Sequence, residues 1–267
     1  MKKRRIIPIV LFQNGQVVQS KNFSDFRNLG SPADSLKRLS DWNADEVHFI
    51  DISRDKVPNF RTDLEHQFSG NFLDVLSEIS RISLMPLAAG GKIRAMGDIA
   101  SRLKAGADKV IVNSALFSKP EFVKEATKFY GSQCVTASID VKKINGEYEI
   151  FSDSGTLRID LDLNQVIEFV QELGVGEILI NSIDRDGSKA GFDLLLAEKV
   201  TSKAVVPVVI AGGAGKWDDF ADALETTKVD GLGAANIFQH LDQSVYLCHN
   251  YLKTRGYNVR PAKLSEV

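Results

Sequence analysis

The sequence predicts an α/β fold of the (β/α)8 TIM-barrel class, assembled from two half-barrels as a pseudo-twofold repeat. Three observations predict it. Short apolar runs of Val, Ile and Leu alternate with longer amphipathic stretches, the rhythm of a parallel sheet joined by crossover helices. Eight such runs share 267 residues, roughly 33 residues per βα unit, which suits the length of an eight-unit barrel. The second half repeats motifs of the first, and self-similarity at long period speaks for architecture more strongly than any single strand.

The first strand is RIIPIVL (5–11), ending at Leu11 before a polar Asn-Gly turn. SPADSLKRLSDWN follows as a helix, with Ser31 placed to cap it and Pro32 at its first position. The next strands are EVHFIDI (46–52), MPLAA (85–89) and KVIVN (109–113). The fifth, VTASID (135–140), has the plan of the first, with an Asn-Gly turn beyond it, but it ends on Asp140. EILINS (177–182), PVVIA (207–211) and DGLGAA (230–235) complete the set. Between the halves, EVHFIDI matches EILINSI, PLAAGGK matches PVVIAGGAGK, and GADKVIVNSALF matches KVDGLGAANIF more weakly. The pairing sets Gly90-Gly91 against Gly212-Gly213. One domain over 1–267 follows, with half-barrels at about 1–130 and 131–255 and a short C-terminal tail. An extra segment, DISRDKVPNFRTDLEHQFSGN (51–71), interrupts the first half after its second strand.

With 43% hydrophobic and 25% charged residues, the chain has material for a sizeable core. A formal net charge of -2 gives no basic field to attract nucleic acid or an anionic membrane. No apolar run approaches the roughly 20 residues of a membrane span, and MKKRR leads into a strand with Pro8 rather than a leucine-rich signal core. The expected setting is cytoplasmic. Cys134 and Cys248 have neither a CxxC partner nor a ligand-spaced histidine, so they read as buried thiols, and no metal or cofactor is expected. His48, His66, His240 and His249 read as packing or surface residues. Trp42 and Trp217 read as helix packing.

In such barrels the chemistry sits at the C-terminal ends of the strands, while the opposite end serves stability. At the C-terminal end the first half supplies Asp51, Gly90, Gly91, Asn113 and Ser114, and the second supplies Asp140, Asp186, Gly187, Gly212, Gly213, Ala235 and Asn236. Glycine pairs followed by a helix let backbone N–H groups and the helix N-terminus approach a phosphate. Two pairs at matching places suggest two anion pockets facing each other across the mouth; the alternative is tight βα turns that need positive φ. At the other end Arg5, Glu46, Lys109 and Glu177 start strands 1, 2, 4 and 6. They form either a closed ring of paired charges or a solvated rim of salt bridges.

These residues resemble the cyclase subunit of imidazole glycerol phosphate synthase over nearly the full length, from RIIP to NVR near the end. NSIDRDGSKAGFD (181–193), VIAGGAGK (209–216), GADKVIVNSA (106–115) and ASIDVKKINGE (137–147) carry the resemblance. It implies a class I glutaminase docked on the strand-start face, with ammonia passing through the barrel to a phosphorylated substrate at the mouth. It further implies that Arg5, Glu46, Lys109 and Glu177 form an ammonia gate. The family uses two carboxylates as acid and base, after strands 1 and 5. The second is Asp140 here, but the first is Leu11, which can neither give nor take a proton. Other mouth positions also depart from the family: Lys92 replaces a glycine, Asn181 a threonine, Ala211 a serine and Asn236 a serine. The resemblance is closer to the cyclase-like group paired with glutaminase-like partners in surface-polysaccharide pathways, where ammonia serves amidation of an aminosugar. A genuine cyclase of histidine biosynthesis and a non-catalytic scaffold that activates a glutaminase stay open as alternatives.

Overall fold

The computed structural model describes residues 3–54, 71–82, 85–239 and 244–264. Along the chain, β1 (Arg5–Gln13) returns as β2 (Gln16–Lys21) and β3 (Asp25–Gly30), and α1 (Pro32–Asp41) leads to β4 (Val47–Asp51). Then come α2 (Phe72–Ile82), β5 (Leu87–Gly90), α3 (Met96–Lys104), β6 (Lys109–Val112), α4 (Ser114–Ser118) and α5 (Pro120–Tyr130). The second half runs β7 (Val135–Ile144), β8 (Glu147–Ser152), β9 (Leu157–Ile159), α6 (Leu163–Glu172), β10 (Glu177–Ser182), α7 (Leu194–Lys203), β11 (Val208–Ala211), α8 (Trp217–Thr226), β12 (Gly231–Ala234) and α9 (Val245–Thr254).

Eight of these strands are parallel to their neighbours and close on themselves in the order β1, β4, β5, β6, β7, β10, β11, β12 and back to β1. The fold is therefore the predicted (β/α)8 barrel. Ser31 caps α1 by accepting from the Asp34 N–H at 3.3 Å, with Pro32 at the first helical position. Asp162 and Gln165 form a reciprocal capping box at the start of α6.

Period-2 alternation sorts the side chains into two shells. Val47 and Phe49 face outward into the layer between sheet and helices. Ile7, Ile9, Ala88, Ile111, Leu179, Val209 and Ala211 face inward and fill the barrel, with Leu11, Ile50 and Ala235 against them. Trp217 opens α8 and stacks on Phe238 at 6.1 Å, while Trp42 follows α1 with the Arg38 guanidinium 5.4 Å above its ring. Both cysteines are buried and free.

The structure corrects two strand ends. The first and fifth strands do not stop at Leu11 and Asp140 but run on to Gln13 and Ile144, each turning back as an antiparallel hairpin. The Asn-Gly pairs are the turns: Asn14 and Gly15 have φ of 48° and 86°, and Asn145 and Gly146 have 51° and 90°. Positive φ at both central positions is the type I′ geometry that matches the twist of paired strands. Residues 55–70 of the extra segment, and with them His66, lie outside the described residues, as does His240. Among the described residues no helix is long and apolar enough to cross a membrane.

Candidate functional site

The strand-start end of the barrel is closed by charge. Arg5, Lys109 and Glu177 open β1, β6 and β10, and Glu46 immediately precedes β4. Alternation turns all four inward. Glu46 contacts Arg5 at 2.6 Å and Lys109 at 2.8 Å, and Glu177 contacts Lys109 at 3.3 Å and pairs with Arg5 as well. The result is a ring of alternating sign, not a solvated rim, since the Glu46 and Glu177 side chains are only 4% and 8% exposed. Burial alone would raise the Glu46 carboxyl. The His48 hydrogen bond, with Lys109 and Arg5, more than offsets it and holds that carboxyl well below the usual range. Donor atoms of Glu46, His48 and Glu177 lie within 4.8 Å of one another, a spacing compatible with a metal ion. Both carboxylates are already neutralised by Arg5 and Lys109, whose charges would repel one.

At the other end is a cavity of about 860 Å³ that reaches down the barrel to Ile9, Ile111 and Ser138. Asp140 lies in its wall, buried, with Oδ1 accepting from Asn181 Nδ2 at 2.9 Å and Oδ2 from Asn113 Nδ2 at 3.1 Å. Burial pushes this carboxyl up to about 6; the two amide bonds lower it and the Asp186 charge adds to the rise. Such a group changes protonation near neutral pH and can move a proton by itself. Leu11 also lines the cavity, packed on the apolar filling of the barrel.

The first-half loop brings Asp51 and Lys92 together at 3.2 Å, and Asp51 Oδ1 also accepts from the Ser53 N–H at 2.9 Å. A Cβ on Gly91 would stand 1.9 Å from the Asp51 carbonyl oxygen, so only glycine fits there. Lys92 adopts a φ of 53°, the left-handed region, which a side chain occupies at a cost. Asn113 and Ser114 line the same side, and Ser114 Oγ accepts from the Asp153 N–H at 3.2 Å. On the second-half side, Asp186 accepts from Ser20 Oγ at 2.6 Å and from the Phe23 N–H at 3.2 Å. It thus pins the β2–β3 turn over the mouth. Asn236 donates to the Ser20 carbonyl at 3.0 Å, and Gly187, Gly212, Gly213 and Ala235 complete that wall.

Two details of the anion-pocket expectation change. The equivalence between the glycine loops shifts by one residue. Gly90 pairs with Ile50 where Ala211 pairs with Asn181, and Gly91 abuts Asp51 as Gly212 abuts Ser182. Lys92 therefore stands where the second half has Gly213. The helix N-termini are also taken: Asp98 accepts from the N–H groups of Arg94 and Ala95 at 2.8 and 2.9 Å, and Asp219 from those of Gly215 and Lys216 at 2.7 and 3.0 Å. Any anion must use the loop backbone and the cations Lys92, Arg94, Lys119 and Lys189 around the mouth.

His48 was read as a packing or surface residue, and it is packed. It is fully buried inside the barrel, with Nε2 3.2 Å from Glu46 Oε1. The signal was in EVHFIDI, where Glu46, His48 and Ile50 share one parity. His249, read as packing, is buried against Asp45 at 2.8 Å.

A closed parallel barrel with twofold loops around one mouth defines the class: a two-half (β/α)8 barrel with its cavity at the strand C-terminal ends. The family model described as histidine biosynthesis protein matches residues 5–243, and the chain belongs to that family. The match supports the cyclase-subunit resemblance carried by the motifs.

Proposed function

We propose that this chain is the cyclase-like synthase subunit of a glutamine amidotransferase complex, receiving ammonia from a glutaminase and delivering it to a phosphorylated or sugar-linked acceptor. The observation that carries the reading is a contrast within one barrel: a complete charged ring at the strand starts and Leu11 facing the mouth that holds Asp140. A buried ring of four charges is a costly way to gain stability, and it has a use beside a partner that feeds the lumen. Phe129 and Val205, 73% and 88% exposed at the same end of the barrel, supply apolar area for that partner. The mouth lacks the second acid/base carboxylate of the family, so the acceptor differs from the cyclase substrate. The resemblance makes it an aminosugar of a surface glycan.

Co-expression with a class I glutaminase is expected to yield a 1:1 complex, and failure to co-purify would refute the partnership. Isolated protein supplied with ammonia and the bisphosphate substrate of the family is expected to turn over at least ~10²-fold more slowly than a two-carboxylate cyclase. Deleting the gene should remove an amide or amidino group from the glycan and leave growth without histidine intact. A histidine requirement with an unchanged glycan decides for the genuine cyclase, in which Asp140 works alone. A stimulated glutaminase with neither phenotype decides for a scaffold.

A further inference from the structure

The interior of the barrel carries a feature that a stability role leaves unexplained. Its filling is apolar on most strands, through Ile7, Ile9, Ala88, Ile111, Leu179 and Val209. Polar groups nevertheless connect the charged ring to the mouth. Thr136 donates to Glu177 Oε1 at 3.3 Å, Ser138 Oγ accepts from Asn181 at 3.0 Å, and Asn181 binds Asp140. These residues sit on the adjoining strands β7 and β10. From β4 on the far side, the His48 ring comes within 4.8 Å of the Glu177 carboxylate, so it lies across the lumen directly above the ring.

His48 has no exposure, and its Nδ1 is buried with no hydrogen-bond partner among the described residues. Leaving such an atom unpaired is costly. A hydrophobic residue of similar size would avoid the cost, as the neighbouring positions do. In the neutral ring, the contact of Nε2 with the Glu46 carboxylate selects the tautomer that carries Nε2–H, since only an N–H can be donated to an anion. Nδ1 then presents a lone pair, an acceptor with nothing to accept.

We propose that His48 Nδ1 is a hydrogen-bond acceptor for ammonia in the barrel interior, a way station between the charged ring and the Thr136–Ser138 side of β7. Ammonia is the ligand whose chemistry fits. It carries three N–H donors, and as a neutral molecule it meets no repulsion from Arg5 and Lys109. The ring nitrogen takes one N–H bond, and the hydroxyl groups of Thr136 and Ser138 offer acceptors farther along. No proton changes hands, and His48 acts as a positioning residue. This rests on the reading of the barrel as an ammonia conduit.

The test uses the isolated full chain with ¹⁵N-labelled histidine, observing the imidazole nitrogens and assigning His48 by its loss in His48→Gln. At neutral pH the expected result is an unprotonated Nδ1 whose resonance shifts saturably with ammonium chloride. Potassium chloride or methylammonium chloride at equal ionic strength should give no such shift, and buried His249 should stay still throughout. A protonated Nδ1, no saturable shift, or an equal shift with potassium would each overturn the proposal. The outcomes separate the two ideas. A glutaminase that binds with no ammonia response at His48 sinks this inference alone. An ammonia response in a barrel that binds no glutaminase leaves His48 an ammonia site and sinks the conduit.

Discussion

The two ends of the barrel handle buried charge in opposite ways. At the strand starts four charges of alternating sign neutralise one another within 3.3 Å, and Glu46 stays ionised far below the usual range. At the mouth Asp140 is buried with two neutral amides and, among the described residues, no cation in contact, and its carboxyl rises to about 6. The difference teaches that burial alone does not set the state of a carboxylate; the sign of what faces it does. One end is built to hold fixed charge, and the other to let a proton come and go.

The comparison breaks most visibly if the ring is opened. Glu46→Gln leaves Arg5 and Lys109 short of a buried counter-charge and is expected to cost about 4 kcal/mol in urea denaturation. Lys189→Ala, on the exposed rim of the mouth, should cost under ~0.5 kcal/mol. Equal losses would mean that the ring is not a buried network.

The pH profile sharpens it next, because the two ends titrate with opposite sign. Asp140 holds its proton in the folded chain after the unfolded chain has lost it, so stability falls as pH rises from about 4 through about 6. The span is about 3 kcal/mol by linkage. Glu46 is depressed, so its contribution is full above its ordinary value of 4.5 and is lost as the pH falls below it. Stability should therefore be greatest at about pH 4, where the two windows meet. Asp140→Asn should flatten the alkaline limb while leaving the acid limb, and urea midpoints across pH 3 to 8 would show an unchanged alkaline limb if Asp140 is not the titrating group.

The smallest expected effect compares the half-barrels. Lys92→Gly gives the first glycine loop the residue found in the second. Relief of the left-handed φ of 53° and loss of the Asp51 ion pair should nearly cancel, for a net change within ~1 kcal/mol. Calorimetric titration with inorganic phosphate should show weaker binding on the Lys92 side only. Unaltered binding would remove Lys92 from any anion site.

Much of this was legible in the chain. The alternation Arg5–Ile7–Ile9–Leu11 and its counterpart Thr136–Ser138–Asp140 fixes which side chains share the interior, since a strand repeats every two residues. Position along the strands placed the four charges at the strand starts and set Leu11 and Asp140 at the strand ends by the mouth. The two-residue repeat would have placed His48 too, had parity with Glu46 been preferred to the usual role of a lone histidine. The one-residue shift between the glycine loops was not legible, because both readings align Gly-Gly with Gly-Gly; only strand pairing distinguishes them.

By itself, then, the sequence determined the barrel class, the twofold plan, the four charges at one end and the leucine at the other, all consequences of local periodicity and residue type. Only the tertiary structure decided that the charges close a ring, that Asp186 holds the β2–β3 turn, that Asp98 and Asp219 occupy their own helix starts, and that His48 Nδ1 has no partner among the described residues. Each of these depends on distances between groups set by how the strands pair and the loops fold back, and neither period nor composition encodes a distance across a closed barrel.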